Sequence, residues 1–276
     1  MQYLTLPCGE TVPAIGQGTW FIGDDPAARE TEISALRAGI DAGMTLIDTA
    51  EMYGSGRSER RVGEAIADRR DAVFLVSKVL PSNAGFEDTI AACEASLHRL
   101  GTDRLDLYLL HWQGGVPFEE TVAAFERLQA DGKIRHYGIS NLDLAATQAF
   151  VHAGGAAAQT NQLLYNLNQR GIEWELLDWL QQAGMVTMAY SPFDGGRLAQ
   201  HPGLSDFAAQ RDMTAGQAAL AWLLHRQGVM PIPKSAHPQR VLENAAAADI
   251  EFSAADLAEF DELFAPPDGP EPLQIY

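Results

Sequence analysis

The chain of 276 residues alternates between strand-like and helix-like runs eight times. Short apolar runs rich in β-branched residues predict strands, and apolar residues at steps of three and four predict amphipathic helices. The strand-like runs are residues 14–20, 45–49, 73–79, 105–112, 134–140, 156–162, 185–193 and 229–235. The helix-like runs are residues 26–42, 57–69, 86–100, 118–130, 142–153, 171–183, 213–227 and 238–247. Such alternation predicts an α/β fold with a parallel sheet.

Two architectures fit this alternation: a closed (β/α)8 barrel and an open, doubly wound sheet. The count of eight favours the barrel, as does the spread of polar residues over the carboxyl ends of many strands. No shift in composition divides the chain, so we expect residues 1–276 to form one barrel domain. A turn around Gly9 predicts an N-terminal hairpin, and a pattern over 253–264 predicts an extra C-terminal helix before a proline-rich tail.

Four polar residues lie at or just past the ends of three consecutive strand-like runs: Asp48, Tyr53, Lys78 and His111. In a barrel these ends converge on one mouth. A lysine there needs a counter-charge, which Asp48 can supply. A lysine about 4 Å from a phenol would favour phenolate by up to about 4 kcal/mol, or roughly three pKa units. We therefore expect Lys78 to bring the pKa of Tyr53 towards neutrality, where acid–base catalysis is efficient.

Other chemical interpretations of this region fit less well. Gly54 and Gly56 superficially resemble a dinucleotide-binding loop, but Glu59 replaces the third glycine, so a tight turn presenting Tyr53 is the better interpretation. A metal site at the mouth would need more ligands than Asp48 and His111, and no H-x-H or H-E-x-x-H motif occurs. We expect no metal there.

Composition excludes several classes of partner. The formal net charge of −18 disfavours nucleic acid and anionic membranes. No apolar run is long enough to span a bilayer, and no signal peptide is visible. Cys8 and Cys93 give no disulfide framework, and Cys93 falls on the apolar face of a helix. We expect a soluble, cytoplasmic monomer.

Several motifs in the predicted order resemble those of the aldo-keto reductase superfamily. They are GMTLIDTAEMYG with Glu59, the strand ending in Lys78, LDLYLLHW, GISN at 138–141, the Gln162 strand, AYSP at 189–192 and IPKS at 232–235. The resemblance runs from about Gly16 to Asn244 and is strongest to bacterial members that reduce small aldehydes and α-dicarbonyls.

The resemblance implies an NADPH-dependent reductase in which Asp48, Tyr53, Lys78 and His111 form the catalytic tetrad and Tyr53 donates the proton. It also implies that Ser140, Asn141 and Gln162 hold the nicotinamide carboxamide, that Tyr190 stacks on its ring, and that the loop 191–198 covers the pyrophosphate. The implied contacts of the adenosine and its 2′-phosphate are Lys234, Ser235, Arg240, Glu243 and Asn244. The remaining implied cofactor contacts are Gly18, Thr19, Trp20, Asp48, Ser191, Pro192, Phe193, Gly195, Gly196, Leu198 and Ile232.

Trp20 and Trp112 follow two strand ends and, with Tyr53 and His111, are the expected substrate contacts. The segment after His111 and the tail after Phe264 are short, which predicts an open mouth that tolerates varied small carbonyl compounds. Two alternatives remain open: a non-catalytic NADP-binding partner subunit on the same barrel, and a barrel hydrolase or isomerase that uses no nucleotide.

Overall fold

The computed structural model describes all of residues 1–276 and contains a short hairpin followed by a parallel barrel. The hairpin pairs β1 (Tyr3–Thr5) with β2 (Thr11–Pro13) in antiparallel fashion. The barrel strands are β3 (Gln17–Gly18), β4 (Leu46–Asp48), β5 (Phe74–Val79), β6 (Leu105–Leu110), β7 (Ile134–Ser140), β8 (Thr160–Leu164), β9 (Val186–Tyr190) and β10 (Val229–Pro231). Each strand lies beside the next in sequence order, all parallel. The predicted α/β barrel and hairpin are confirmed.

The barrel closes where the first barrel strand meets the segment after β10. The backbone N–H groups of Gly16 and Gly18 donate to the carbonyls of Pro231 and Pro233, both at 3.0 Å. Gly18 also forms a parallel bridge with Lys234. A Cβ atom on Gly18 would lie 2.7 Å from the carbonyl oxygen of Ile232, so only glycine allows this approach.

Ten α-helices surround the barrel. They are α1 (Arg29–Asp41), α2 (Arg57–Ile66), α3 (Phe86–Leu100), α4 (Phe118–Ala130), α5 (Leu144–His152), α6 (Leu176–Gln182), α7 (Pro202–Ala209), α8 (Ala215–Leu224), α9 (Pro238–Ala246) and α10 (Ala254–Leu263). Capping boxes begin two of them: Thr214 with Gln217 before α8, and Ser253 with Asp256 before α10. None of the helices combines the length and the apolar character needed to cross a bilayer.

Alternation along the strands separates two cores. In β5, Val76 belongs to an interior cluster, whereas Leu75 and Val79 belong to the large cluster between the sheet and the helices. Lys78 shares its phase with Val76, so its side chain points into the barrel. In β6, Leu107 and Leu109 are interior, and the same phase continues to His111.

The hairpin covers the amino-terminal end of the barrel. Leu6 and Val12 are buried and join the interior cluster with residues of the barrel strands. The backbone N–H of Cys8, in the hairpin turn, donates to Oε1 of Gln159 at 2.9 Å. With that end covered, the interior can open to a ligand only at the carboxyl ends of the strands, as the sequence predicts.

Candidate functional site

Four barrel strands deliver polar side chains to one point. Asp48 is the last residue of β4, Lys78 lies near the end of β5, His111 follows β6, and Gln162 lies in β8. All four are buried. Asp48, Lys78 and His111 follow interior apolar residues in phase along their strands, so the pleat directs them to the barrel axis. Gln162 reaches the same point, as its hydrogen bond with Asp48 shows.

Lys78 is the centre of this group. Its Nζ donates to Asp48 Oδ2 at 2.7 Å, to the carbonyl oxygen of Thr49 at 2.9 Å and to Tyr53 Oη at 3.1 Å. The other carboxylate oxygen of Asp48 accepts from Nε2 of Gln162 at 2.8 Å. The buried ammonium therefore has a counter-charge and three acceptors. Because Lys78 donates to the phenol oxygen, the phenol proton of Tyr53 stays free for another acceptor.

A left-handed turn places Tyr53 over Lys78. The φ angles of Gly54, Ser55 and Gly56 are 55°, 53° and 83°, and α2 begins at the next residue. The turn is held from below by Glu59, which accepts from Ser77 Oγ at 2.7 Å and pairs with Arg99. The segment is thus the tight turn predicted from the sequence, and Glu59 of the motif ties α2 to β5.

The electrostatics correct one expectation. Burial raises the pKa of Tyr53 above its ordinary value of 10.0; Lys78 opposes this, and the carboxylate of Asp48 adds to it. The predicted shift of the Tyr53 pKa towards neutrality is therefore wrong for this structure. The prediction counted the lysine and left out both the desolvation of the phenolate and the charge of Asp48. The phenol is consequently protonated at neutral pH.

His111 faces Tyr53 across the site. The two rings meet edge-on with centroids 5.9 Å apart, and Nδ1 of His111 is buried without a hydrogen-bond partner. Burial, assisted by the charge of Lys78, lowers the pKa of His111 to about 2. The imidazole is therefore neutral at ordinary pH and can donate one hydrogen bond.

A cavity of about 780 Å³ opens above this group. The sequence-predicted residues that line it are Gly18, Thr19, Trp20, Asp48, Tyr53, His111, Trp112, Asn141, Gln162, Tyr190, Ser191, Pro192, Phe193, Gly195, Gly196, Ile232 and Lys234. Those that do not line it are Lys78, Ser140, Leu198, Ser235, Arg240, Glu243 and Asn244. Most of the predicted site residues thus line the same cavity.

Polar groups inside the cavity are ordered by one another. Tyr190 Oη donates to Asn141 Oδ1 at 2.9 Å, and Asn141 Nδ2 donates to the carbonyl of His111 at 3.1 Å. Ser140 Oγ donates to the carbonyl of Gln162 at 2.9 Å, which places it behind the wall. Two amides and a phenol ring therefore face a ligand in fixed positions.

The loop 191–198 is tied to the C-terminal tail. Asp194 is buried and accepts from Asn168 Nδ2 at 2.7 Å and from Arg197 Nε at 2.8 Å. These contacts, with the hydrogen bond from Arg197 foremost, lower the pKa of Asp194 to about 2. Tyr276 donates its hydroxyl proton to Asp194 and accepts from Arg197 Nη2 at 2.7 Å. The last residue of the chain thus completes the loop's polar network.

This tail corrects the expectation of an open mouth. Ile275 and Tyr276 line the cavity, as do Phe21 and Met52, and the sequence interpretation missed all four. Phe21 stacks on Trp20 with ring centroids 4.6 Å apart. The sequence contained one feature that could have predicted the position of the tail: two large apolar residues, Ile275 and Tyr276, follow a polar, proline-rich segment. A short tail reaches the mouth because it runs extended across the surface.

Two cations near the end of β10 have no acidic partner. Lys234 is exposed and lines the cavity, and Arg240 is exposed in the first turn of α9. Neither forms an ion pair, whereas Lys78 and Lys133 are both paired with carboxylates. Unpaired cations beside a helix amino terminus suit a phosphate.

Comparison with known proteins identifies similar chains. A family model described as "Aldo/keto reductase family" matches residues 14–265. The chain is 52% identical over 271 residues to "Methylglyoxal reductase YeaE" of Escherichia coli (strain K12), covering 96% of this chain and 95% of the relative. It is 34% identical over 258 residues to "Glyoxal reductase" of Bacillus subtilis (strain 168), covering 92% and 90%. A crystal structure of an aldo/keto reductase from Klebsiella pneumoniae in complex with NADP and acetate superposes with a TM-score of 0.97 at 48% identity, covering 99% of both chains.

Proposed function

The chain belongs to the aldo/keto reductase family and is an NADPH-dependent carbonyl reductase, and we propose that its preferred substrates are small α-dicarbonyls of the methylglyoxal class. We further propose that Tyr53 is the proton donor. The observation that carries the second proposal is the contact of Tyr53 Oη with Lys78 Nζ at 3.1 Å beneath the cavity.

The residues divide the work as follows. When bound, the cofactor supplies a hydride to the carbonyl carbon. Tyr53 gives its phenol proton to the carbonyl oxygen, which yields the alcohol, and the phenolate is reprotonated from solvent. Lys78 stabilises that phenolate while Asp48 keeps Lys78 charged. His111, neutral because of its low pKa, orients the carbonyl oxygen with a hydrogen bond and does not compete as an acid.

The cavity wall fits the cofactor. Asn141 and Gln162 present amide groups that match a carboxamide, and the ring of Tyr190 lies beside them. In the bound state the loop 191–198 would cover the pyrophosphate, and Lys234 with Arg240 would supply charge for a 2′-phosphate. Ser235 follows Lys234, and Glu243 and Asn244 lie on α9 with Arg240, where they would contact the adenosine.

The proposed substrate class rests on the walls and on the two named relatives. Trp20, Phe21, Met52 and Trp112 give the cavity an apolar lining, and Ile275 adds to it from the tail side. We propose that this lining suits the carbon skeleton of two- and three-carbon dicarbonyls. Such substrates offer a second carbonyl that makes the first more electrophilic.

A substrate panel tests the reaction. NADPH oxidation is followed with methylglyoxal, glyoxal, simple aldehydes and ketones, and methylglyoxal and glyoxal should give the highest kcat/KM. A preference for bulky ketones, or turnover only with NADH, would contradict the proposed substrate class or the proposed phosphate contacts.

A matched pair of variants tests the proton donor. Tyr53→Phe should lower kcat by about 10²- to 10⁴-fold, the usual contribution of a positioned acid, with NADPH affinity nearly unchanged. Tyr3→Phe, in the exposed hairpin, is the control and should match the parent. Parental turnover in Tyr53→Phe at neutral pH would refute the assignment.

We also propose that residues 1–276 act as one domain, as a monomer in the cytoplasm, without nucleic acid. One continuous barrel supports the first point, and the charge of −18 supports the last. Two free cysteines suit a reducing compartment. Light scattering after gel filtration and cell fractionation test these points.

A further inference from the structure

Three side chains with metal-binding atoms meet at the closed end of the barrel, opposite the cavity. Cys8 and Glu10 lie in and beside the hairpin turn, and His136 lies near the start of β7. Cys8 Sγ is 3.7 Å from His136 Nε2, and His136 Nε2 is 2.9 Å from Glu10 Oε2. All three donor atoms lie within 4.8 Å of one another. The reductase mechanism uses none of them.

We propose that Cys8, Glu10 and His136 form a zinc site that joins the hairpin to the barrel. A thiolate, an imidazole and a carboxylate are the three ligand types that Zn²⁺ takes in proteins, and the thiolate selects against Mg²⁺ and Ca²⁺. Water would occupy the fourth position of the tetrahedron, since the thiol is exposed to solvent.

Two of the three donor separations lie close to those of tetrahedral zinc, and the third, between sulfur and oxygen, is within 4.8 Å. Bonds of about 2.3 Å to sulfur and about 2.0–2.1 Å to nitrogen and oxygen place the donor atoms about 3.3–3.6 Å apart. The sulfur–nitrogen distance is already near that value. The nitrogen–oxygen distance must increase by about half an ångström, as expected when a metal replaces a direct hydrogen bond between the two ligands.

The surroundings both hold the site and compete with the metal. Gln159 fixes the backbone of Cys8, and pairing with β6 fixes His136. Arg135 Nη2, however, donates to Glu10 Oε2 at 2.9 Å, and its Nη1 bonds Asp106 at 3.0 Å. A guanidinium this close opposes a dication. Zinc binding therefore requires Glu10 to exchange its arginine contact for the metal.

Zinc binding releases one proton. The Cys8 thiol gives its proton to solvent as the Zn–S bond forms, so zinc affinity falls at low pH.

The proposed zinc site lies far from the reduction site. His136 and Ser140 lie four residues apart on β7, about 13 Å along the strand. The metal therefore acts on the stability of the hairpin and leaves NADPH-dependent turnover unchanged.

Titration of the metal-free, full-length protein with Co²⁺ and then Zn²⁺ tests the proposal. One equivalent of Co²⁺ should give a near-ultraviolet thiolate charge-transfer band that Zn²⁺ removes, and Zn²⁺ should raise the Tm. Absence of the band at one equivalent would overturn the proposal, as would a band retained in Cys8→Ser.

Variants separate a metal site from a hydrogen-bonded cluster. Cys8→Ser and His136→Ala should each weaken Zn²⁺ by more than the roughly 10- to 100-fold that an outer-shell partner costs. Arg135→Gln should tighten Zn²⁺ because it releases Glu10, whereas His152→Ala, an exposed histidine on α5, should have no effect. Weaker zinc binding in Arg135→Gln, or equal binding in His136→Ala and the parent, would refute the ligand set.

Discussion

Lys78 and Asp48 shift the pKa of Tyr53 in opposite directions, so substitution of each residue tests its effect on the protonation of the phenol separately. The ammonium lowers the pKa of Tyr53, while the carboxylate and burial raise it. If Tyr53 is the proton donor, as proposed, reduction needs the protonated phenol and is lost as pH rises through its pKa. Oxidation of the alcohol needs the phenolate and grows as pH rises through the same value.

Lys78→Met should therefore lower turnover and move the alkaline rise of alcohol oxidation to higher pH, because the phenolate loses its cation. Asp48→Asn should move it to lower pH, because an opposing charge is removed. The pH dependence of kcat in the oxidation direction measures both shifts, with circular dichroism to confirm folding. Profiles that move in the same direction in both variants would contradict this account.

The proposed role of Arg240 in cofactor choice is tested at the same scale. It has no acidic partner and lies in the first turn of α9, so a 2′-phosphate there gains charge-assisted hydrogen bonds of about 1.5–3 kcal/mol. Arg240→Ala should weaken NADPH roughly ten- to a hundredfold and NADH much less. The ratio of the two dissociation constants is the quantity to measure. Arg60→Ala, an exposed arginine on α2 without an ion pair, is the control; equal loss for both cofactors would contradict the assignment.

Among the elements, the tail and the loop 191–198 behave as one unit because Tyr276 bonds both Asp194 and Arg197. Burial, with Asp194, raises the pKa of Tyr276 to about 12, so its hydroxyl remains a donor to the carboxylate at neutral pH. Tyr276→Phe should speed NADPH dissociation by up to about tenfold, the effect of one hydrogen bond to a charged group at a half-exposed position. Stopped-flow fluorescence measures the rate, with Tyr3→Phe as control. An unchanged rate would show that the tail does not hold the loop.

Sequence patterns predicted the long elements well. The bounds of α3, α4 and β7 agree with those predicted, because periodicity over 13 or 15 residues, or a strand bounded by turn residues, leaves little freedom. The helix α7 was missed. It spans two turns and contains Gly203, so its apolar Leu204 and Phe207 did not stand out from a loop.

Strand ends were harder to predict, for physical reasons. The strand predicted over 229–235 ends at Pro231; beyond it Pro233 has no N–H to donate, and pairing with β3 continues only as the isolated bridge between Gly18 and Lys234. The strand predicted over 156–162 begins at Thr160, since the alanines before it form a 3-10 turn. In the site, the positions of Asp48, Lys78 and His111 at strand ends correctly predicted that these residues converge. The pKa of Tyr53 and the reach of the tail depend on burial and on long-range contacts that no local pattern contains.

For the whole molecule, the excess of negative charge determines how salt acts. The net charge is −18, so acidic side chains on the surface repel one another. The screening length of this repulsion is about 30 Å at about 0.01 M salt and only about 10 Å at about 0.1 M. Raising NaCl across this range should therefore raise the Tm of the cofactor-free protein. If the phosphates of NADPH bind Lys234 and Arg240, as proposed, the same change should weaken NADPH binding. Thermal melts and NADPH titrations at matched salt test both directions. A falling Tm would show that surface ion pairs outweigh the repulsion.

The contact between Gly18 and Lys234 also constrains how the chain is made. β3 has β4 on one side, but the partner for its other edge is translated roughly 200 residues later. At about 5–20 residues per second, that edge waits about 10–40 s on the ribosome. During this interval the nascent sheet exposes unpaired backbone N–H and carbonyl groups, which can recruit a neighbouring nascent chain. A premature stop before residue 229 would make that exposure permanent, so truncated products of this gene should be cleared or aggregate and should not persist as smaller folded barrels.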